Sequence, residues 1–143
     1  MTATTAAVIV ATATVTLSAP TAAAAPVWCG SWLQNPAEAS SQRNVAGTKQ
    51  FVGDPGEYIV VREGTHRGRW YAWAKLVNDS ETDLVALIWV NEANRTIYQC
   101  GNRNGSGGWS YDYTAGVDDT HAWKVQAKYQ HSNVVYGPAV IWR

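Results

Sequence analysis

The stretch HAWKVQAKYQ, residues 121–130, decides the fold class. Trp123, Val125, Ala127 and Tyr129 alternate there with Lys124, Gln126 and Lys128. A period of two puts one set of side chains on each face of an extended chain, the mark of a strand with one face in a core and one in water. Working outward, Val134–Tyr136 and Ala139–Trp142 read as short strands broken at Gly137-Pro138. Upstream, Trp109–Thr114 alternates aromatic and polar residues and reads as a further strand, preceded by the loop Gly101–Gly108 (GNRNGSGG), which has almost nothing to bury.

The same grammar runs back through the chain. Asp83–Val90 (DLVALIWV) is strongly apolar without clean alternation, which predicts a central strand buried on both faces. Asn91–Asn94 turns it into Arg95–Cys100. Arg69–Val77 (RWYAWAKLV) and Glu57–Glu63 (EYIVVRE) pair as a hairpin through a five-residue connection, Gly64–Gly68. Gly53-Asp54-Pro55-Gly56 is a turn that stops a weak strand at Lys49–Val52. Gln34–Gly47 reads as a polar loop. The sum is an all-β domain of about seven or eight strands, an antiparallel sandwich or a small barrel, with no convincing helix.

Residues 1–24 read differently. They hold no charged side chain, an apolar run at Ala6–Leu17, and then small residues suited to cleavage after Ala24. That is the pattern of a secretory signal peptide, and it predicts an extracellular domain at 25–143 with no membrane attachment once the leader is removed. In an exported chain the cysteines Cys29 and Cys100 are expected to join. The bridge would close a loop of about 70 residues, which contributes about 4 kcal/mol in the chain-entropy model.

Composition narrows the function classes. Eleven basic residues balance eleven acidic ones, so the basic excess expected of a nucleic-acid partner is missing. Eight Trp and seven Tyr stand against one Phe. Such rings bury large area while keeping a polar handle, which suits a thin core and equally suits ligand stacking.

Three clusters are candidate sites. Trp109, Tyr111 and Tyr113 would share one face of their strand, either as a stacking platform for a sugar or other planar ligand or as the core of a sheet edge. Arg62, Arg67 and Arg69, with His66, bracket the Gly64–Gly68 turn; they form either an anion-binding patch, partly neutralised by Glu57 and Glu63, or a solvated hairpin tip. Asp118, Asp119 and His121 combine carboxylates with an imidazole, which suits acid–base work or a divalent cation, and equally suits turn chemistry before a strand. His66 and His131 belong to no motif. There is no G-x-S-x-G, H-E-x-x-H, glycine-rich phosphate loop or EF-hand pattern. No catalytic residue, cofactor or metal is therefore assigned. Sequons stand at Asn78, Asn94 and Asn104.

YAWAKL at Tyr71–Leu76, DLVALIWVNEANRTIYQCG at Asp83–Gly101, a Gly/Ser/Asn loop and a terminal IWR carry a resemblance. The chain resembles the small secreted Trp-rich β proteins of filamentous actinobacteria over roughly the C-terminal two-thirds of 25–143. The resemblance implies compartment and fold, and no activity or site residues.

The expected function is a secreted non-catalytic β domain that binds a cell-surface glycan or an extracellular protein. A secreted antagonist (an enzyme inhibitor or bacteriocin-like toxin) using the Gly101–Gly108 loop is the first alternative. A small hydrolase using Asp118 or Asp119 with His121 is the second.

Overall fold

The computed structural model describes residues 30–79, 82–101 and 108–143. The expected signal peptide, Cys29 and positions 102–107 of the glycine loop lie outside the described residues. A four-residue helix α1 (Gly30–Leu33) and a 3-10 turn (Pro36–Glu38) precede the strands. These are β1 (Ser40–Asn44), β2 (Gln50–Phe51), β3 (Tyr58–His66), β4 (Arg69–Val77), β5 (Leu84–Asn91), β6 (Ile97–Cys100), β7 (Val117–Asp118), β8 (Ala122–Gln130), β9 (Val134–Tyr136) and β10 (Val140–Ile141). The all-β expectation holds, with more and shorter strands than the sequence suggested.

Two antiparallel sheets result. One has the order β1-β3-β4-β7 with β2 also on β3; the other has the order β10-β8-β5-β6 with β9 also on β8. Each sheet thus has an edge made of two short strands in succession, β1 then β2 along β3, and β9 then β10 along β8. The first interruption is hydrogen-bonded by buried Thr48, whose hydroxyl donates to Val45 O (2.7 Å) and accepts from Val61 N–H (3.1 Å). The second is closed by Gly137 N–H on Ala127 O (2.9 Å). A broken edge is a poor template for a foreign strand.

The β3–β4 hairpin corrects one expectation. The ladder runs unbroken from Tyr58↔Val77 to His66↔Arg69, so the five-residue connection does not exist. The chain reverses on Arg67 and Gly68 alone, at φ of 49° and 77°. Positive φ at both positions gives a turn whose twist matches the strands it joins. Gly64 looked like a breaker, but it is a strand residue: a Cβ there would sit 2.9 Å from Ser40 O, so only glycine lets β1 approach so closely.

Inner faces of both sheets meet in one core. Ile59, Val61, Ala72, Ala74 and Leu76 come from the first sheet; Val85, Leu87, Trp89, Val125, Ala127 and Tyr129 come from the second. β8 buries Val125, Ala127 and Tyr129 as its alternation requires, but the fourth residue of that series, Trp123, is only half-buried, beside a register irregularity at Val90/Asn91. β5 is central in its sheet, as expected, but burial on both faces is only partial. Of its outward side chains Ala86 is buried, whereas Leu84, Ile88 and Val90 are half-buried, because no second layer of strands lies over them among the described residues.

The first sheet does gain an outer cover. Leu33 and Ala39 pack onto Tyr71 and Trp73 on its outer face, forming a separate small cluster. The segment 30–44 that does this is held locally. Asn35 accepts the Ala37 N–H with its side chain, and Gln42 donates to the carbonyls of Ala39 (2.9 Å) and Pro36 (3.3 Å). Part of the expected Gln34–Gly47 loop is therefore an ordered strap.

No Trp among the described residues is exposed. Half-buried indoles are instead covered by cations: Trp70 by Arg43 and Arg143, Trp123 by Arg95, and Trp109 by Lys128. Many of the basic side chains thus lie along aromatic surface.

Candidate functional site: a cationic cleft on the first sheet

The β3–β4 register pairs Arg62 with Trp73 and Val60 with Lys75. Arg62, Trp73 and Lys75 therefore share the outer face, with Arg62 and Lys75 as diagonal neighbours whose backbones are about 7–8 Å apart. The strap closes one side of this patch. Residues 109–114 close the other, bound to β4 by Leu76 N–H on Asp112 O (2.7 Å) and Thr114 N–H on Ala74 O (3.0 Å). The result is a cleft of about 170 Å³ lined by Ala37, Gln42, Arg62, Trp73, Lys75 and Tyr113.

Its two cations are in different states. Lys75 Nζ lies 2.8 Å from Asp112 Oδ1 and 5.5 Å from the centre of the Tyr113 ring. That ring is anchored by its hydroxyl on Asn35 Oδ1 (3.1 Å). Arg62 has no ion pair or side-chain hydrogen bond among the described residues, and its Nε is buried without a partner. A buried donor left unpaired costs about 1–3 kcal/mol, so a native fold normally provides one. Chemically, the cleft offers a spare guanidinium, a second cation already holding a carboxylate, and ring edges. Two cations and an amide side chain among its lining make it a place to hold an acceptor-bearing group.

The expected arginine patch is dispersed. Arg67 is at the exposed turn, and Arg69 lies 3.8 Å from the buried carboxylate of Asp118. Arg69 is four strand residues from Trp73, the Arg62 partner, a span of about 13 Å at the usual rise. Glu63 does not neutralise Arg62, because it points to the opposite face of β3. It accepts from Arg43 Nε (2.6 Å), Trp142 Nε1 (2.7 Å) and Arg143 Nη2 (2.8 Å). Glu57 is buried near the far end of the same strand.

The expected aromatic row does not form. Residues 109–114 make only isolated bridges at Ser110 and Tyr113 and no strand. Tyr113 N–H bonds back to Tyr111 O (2.6 Å) across Asp112, whose φ is +62°. This γ-turn breaks the alternation. Trp109 then lies against Lys128 on the second sheet, Tyr113 against Lys75 on the first, and Tyr111 is exposed. Only Tyr113 enters the cleft. Lys75 and Gln42 were missed in the sequence; the available signal was Lys75 as the one charged residue inside the apolar run of β4.

Asp118 and His121 do meet. Asp118 Oδ1 is 2.5 Å from His121 Nδ1 and also accepts the His121 backbone N–H (3.1 Å) and the Thr120 hydroxyl (3.1 Å). The imidazole stacks on Trp32 with centroids 4.9 Å apart. Asp119 is half-buried beside them. Three acceptances by one carboxylate within four residues are turn chemistry, which also leaves an oriented imidazole at the surface.

A fourth cluster escaped the sequence. Glu57 and Asp83 are both buried, and His131 Nδ1 lies 2.5 Å from Asp83 Oδ1, so His131 is not isolated as expected. Burial, and then hydrogen bonding with Asp83, raises the Glu57 pKa. Burial and the nearby Glu57 and Asp83 charges push Tyr129 up to about 12. Like charges so close favour a shared proton. Among the described residues no group of three or more His, Cys, Asp or Glu is placed to hold a metal ion.

Cys100 ends β6, is fully buried and is not a free thiol. An open recess of about 510 Å³ over residues 51–56 is walled by turn residues and brings no set of polar side chains together. In comparisons with known proteins, no family model, curated protein or solved structure matches this chain.

Proposed function

We propose that this protein is a secreted, non-catalytic β domain, folded as a sandwich and clamped by a Cys29–Cys100 disulfide, which binds a cell-surface glycan or an extracellular protein through the Arg62–Lys75 cleft. The observation that carries this reading is the Arg62 side chain: it lines a concave site, and its buried Nε lacks a partner. The signal-like residues 1–24 and the resemblance to secreted actinobacterial β proteins support the extracellular setting. The test is retention of the protein on insoluble cell-wall glycans and on immobilised secreted proteins, comparing the native chain with Ala37→Trp, which fills the cleft from its exposed rim. Retention lost in Ala37→Trp supports the reading; retention unchanged by the substitution, or none on either panel, overturns it.

A second reading, a small hydrolase, is favoured by the Asp118–His121 geometry. An imidazole oriented by a buried carboxylate can act as a general base. Replacing Asp118, Asp119 and His121 together by alanine should then abolish hydrolysis of whatever ester or glycoside panel the native protein attacks. Unchanged turnover would remove this reading.

A further inference from the structure

We infer that the Arg62–Lys75 cleft recognises a carboxylate on a sugar ring, a hexuronate unit of an acidic glycan, and that Asp112 is a tethered competitor for it. The inference rests on the binding function proposed above and specifies its ligand.

Asp112 shows what Lys75 prefers. Its carboxylate sits 2.8 Å from Nζ at the cleft rim, on a residue held at positive φ whose backbone oxygen is fixed by Leu76 N–H. That carboxylate is nearly half exposed, at 47%, so it can turn into water when another anion arrives. Two cations facing one internal carboxylate leave a single positive charge, centred on Arg62, for a monoanion. A planar guanidinium suits a carboxylate through two parallel hydrogen bonds.

The backbone around the cleft argues for a sugar over a peptide. β3 is flanked by β1 and β2. β4 is bonded to residues 112–114 and to β7. Among the described residues neither β3 nor β4, the strands that carry Arg62, Trp73 and Lys75, has a free edge at the site, so an extended peptide would lack main-chain partners on them. Recognition must run through side chains, and the volume suits one ring.

The experiment compares D-galacturonate with D-galactose, which differ at one carbon, carboxylate against hydroxymethyl. Binding is read by calorimetry and by the Arg62 Nε–H resonance. Galacturonate should bind and shift that resonance while galactose does neither. Arg62→Gln should weaken galacturonate binding about tenfold to a hundredfold, the range for a charged hydrogen bond. Among the described residues Arg62 makes no side-chain hydrogen bond or ion pair that this substitution would break, and an unchanged thermal midpoint confirms the fold. Asp112→Asn should tighten binding about two- to fivefold, the range of an exposed ion pair, with a steeper salt dependence, because the anion then meets two unpaired cations. Equal binding of both sugars in the cleft overturns the carboxylate inference and leaves the binding function standing. Preferential binding of a peptide C-terminal carboxylate overturns the sugar class. Absence of binding by galacturonate and by polygalacturonate, while the wall-glycan retention above persists, also overturns the inference; loss of both overturns the binding function with it.

Discussion

Trp142 donates its indole N–H to the Glu63 carboxylate at 2.7 Å across 79 residues of chain. The same carboxylate holds Arg43 and Arg143, whose guanidiniums lie over the Trp70 ring at 5.0 and 4.6 Å. Burial alone would raise the Glu63 pKa, but hydrogen bonds from Trp142 and Arg43 and the charges of Arg143 and Arg43 outweigh it, and the net shift is downward. A lowered carboxyl pKa contributes stability that is present above the unfolded value of 4.5 and is lost as pH falls through the folded value. Urea midpoints should therefore drop below pH 4.5 in the native protein. Glu63→Gln should cost about 2 kcal/mol at neutral pH and flatten that acid limb; an acid limb of the same steepness in the variant would refute the assignment.

Glu57 has the opposite sign. Its raised pKa contributes stability below 4.5, and that contribution disappears as pH rises through the folded value. Glu57→Gln keeps the neutral form at all pH. The native protein should lose stability relative to Glu57→Gln as pH is raised from 4.5 towards neutrality, measured by chemical denaturation at fixed ionic strength. Parallel curves would mean that the Glu57–Asp83 pair does not share a proton.

Gly53 covers that pair. A Cβ at this position would fall 1.8 Å from Glu57 Oε2 and 2.8 Å from the Tyr129 hydroxyl, at a φ of +46°. Gly53→Ala should destabilise by about 2–4 kcal/mol, combining overpacking with a positive φ. Gly68→Ala has no atom within 4 Å of the new Cβ, so it isolates the backbone cost at about 1 kcal/mol. Equal losses in the two variants, read from thermal melts, would show that the carboxyl site tolerates displacement.

The proposed Cys29–Cys100 bridge makes a redox prediction. Closing a loop of about 70 residues contributes about 4 kcal/mol, so reduction should lower the thermal midpoint by on the order of 15 °C. Mass spectrometry after alkylation should find no modified thiol without reductant. Two alkylated cysteines in the native protein would refute the bridge.

Much of the fold was legible because it is local. Arg69–Val77 appears as a strand with the very bounds its composition suggested, since β-branched and aromatic residues between turn signals suit a half-buried pleat. The misreadings have specific causes. At Gly64 a glycine chosen for close strand approach looked like a breaker. At Trp109–Thr114 the aromatic alternation was real, but a γ-turn at Asp112 cut it. Sequence spacing brought Arg62, Arg67 and Arg69 together; the pleat and the twist of the hairpin sent them to different surroundings.

Residue order alone carries the strand periodicity, the turn positions and the class of fold, because these depend on neighbours within a few positions. Which distant side chains face one another depends on sheet order and on where residues 30–44 cross β3. No alternation encodes that crossing, yet it is what walls Arg62 and Lys75 into a cleft. Likewise, Glu57 and Asp83 become a buried acid pair only because the two sheets close over one core. Water, which would screen such charges in an open chain, is excluded from them by the packing of residues far apart in sequence.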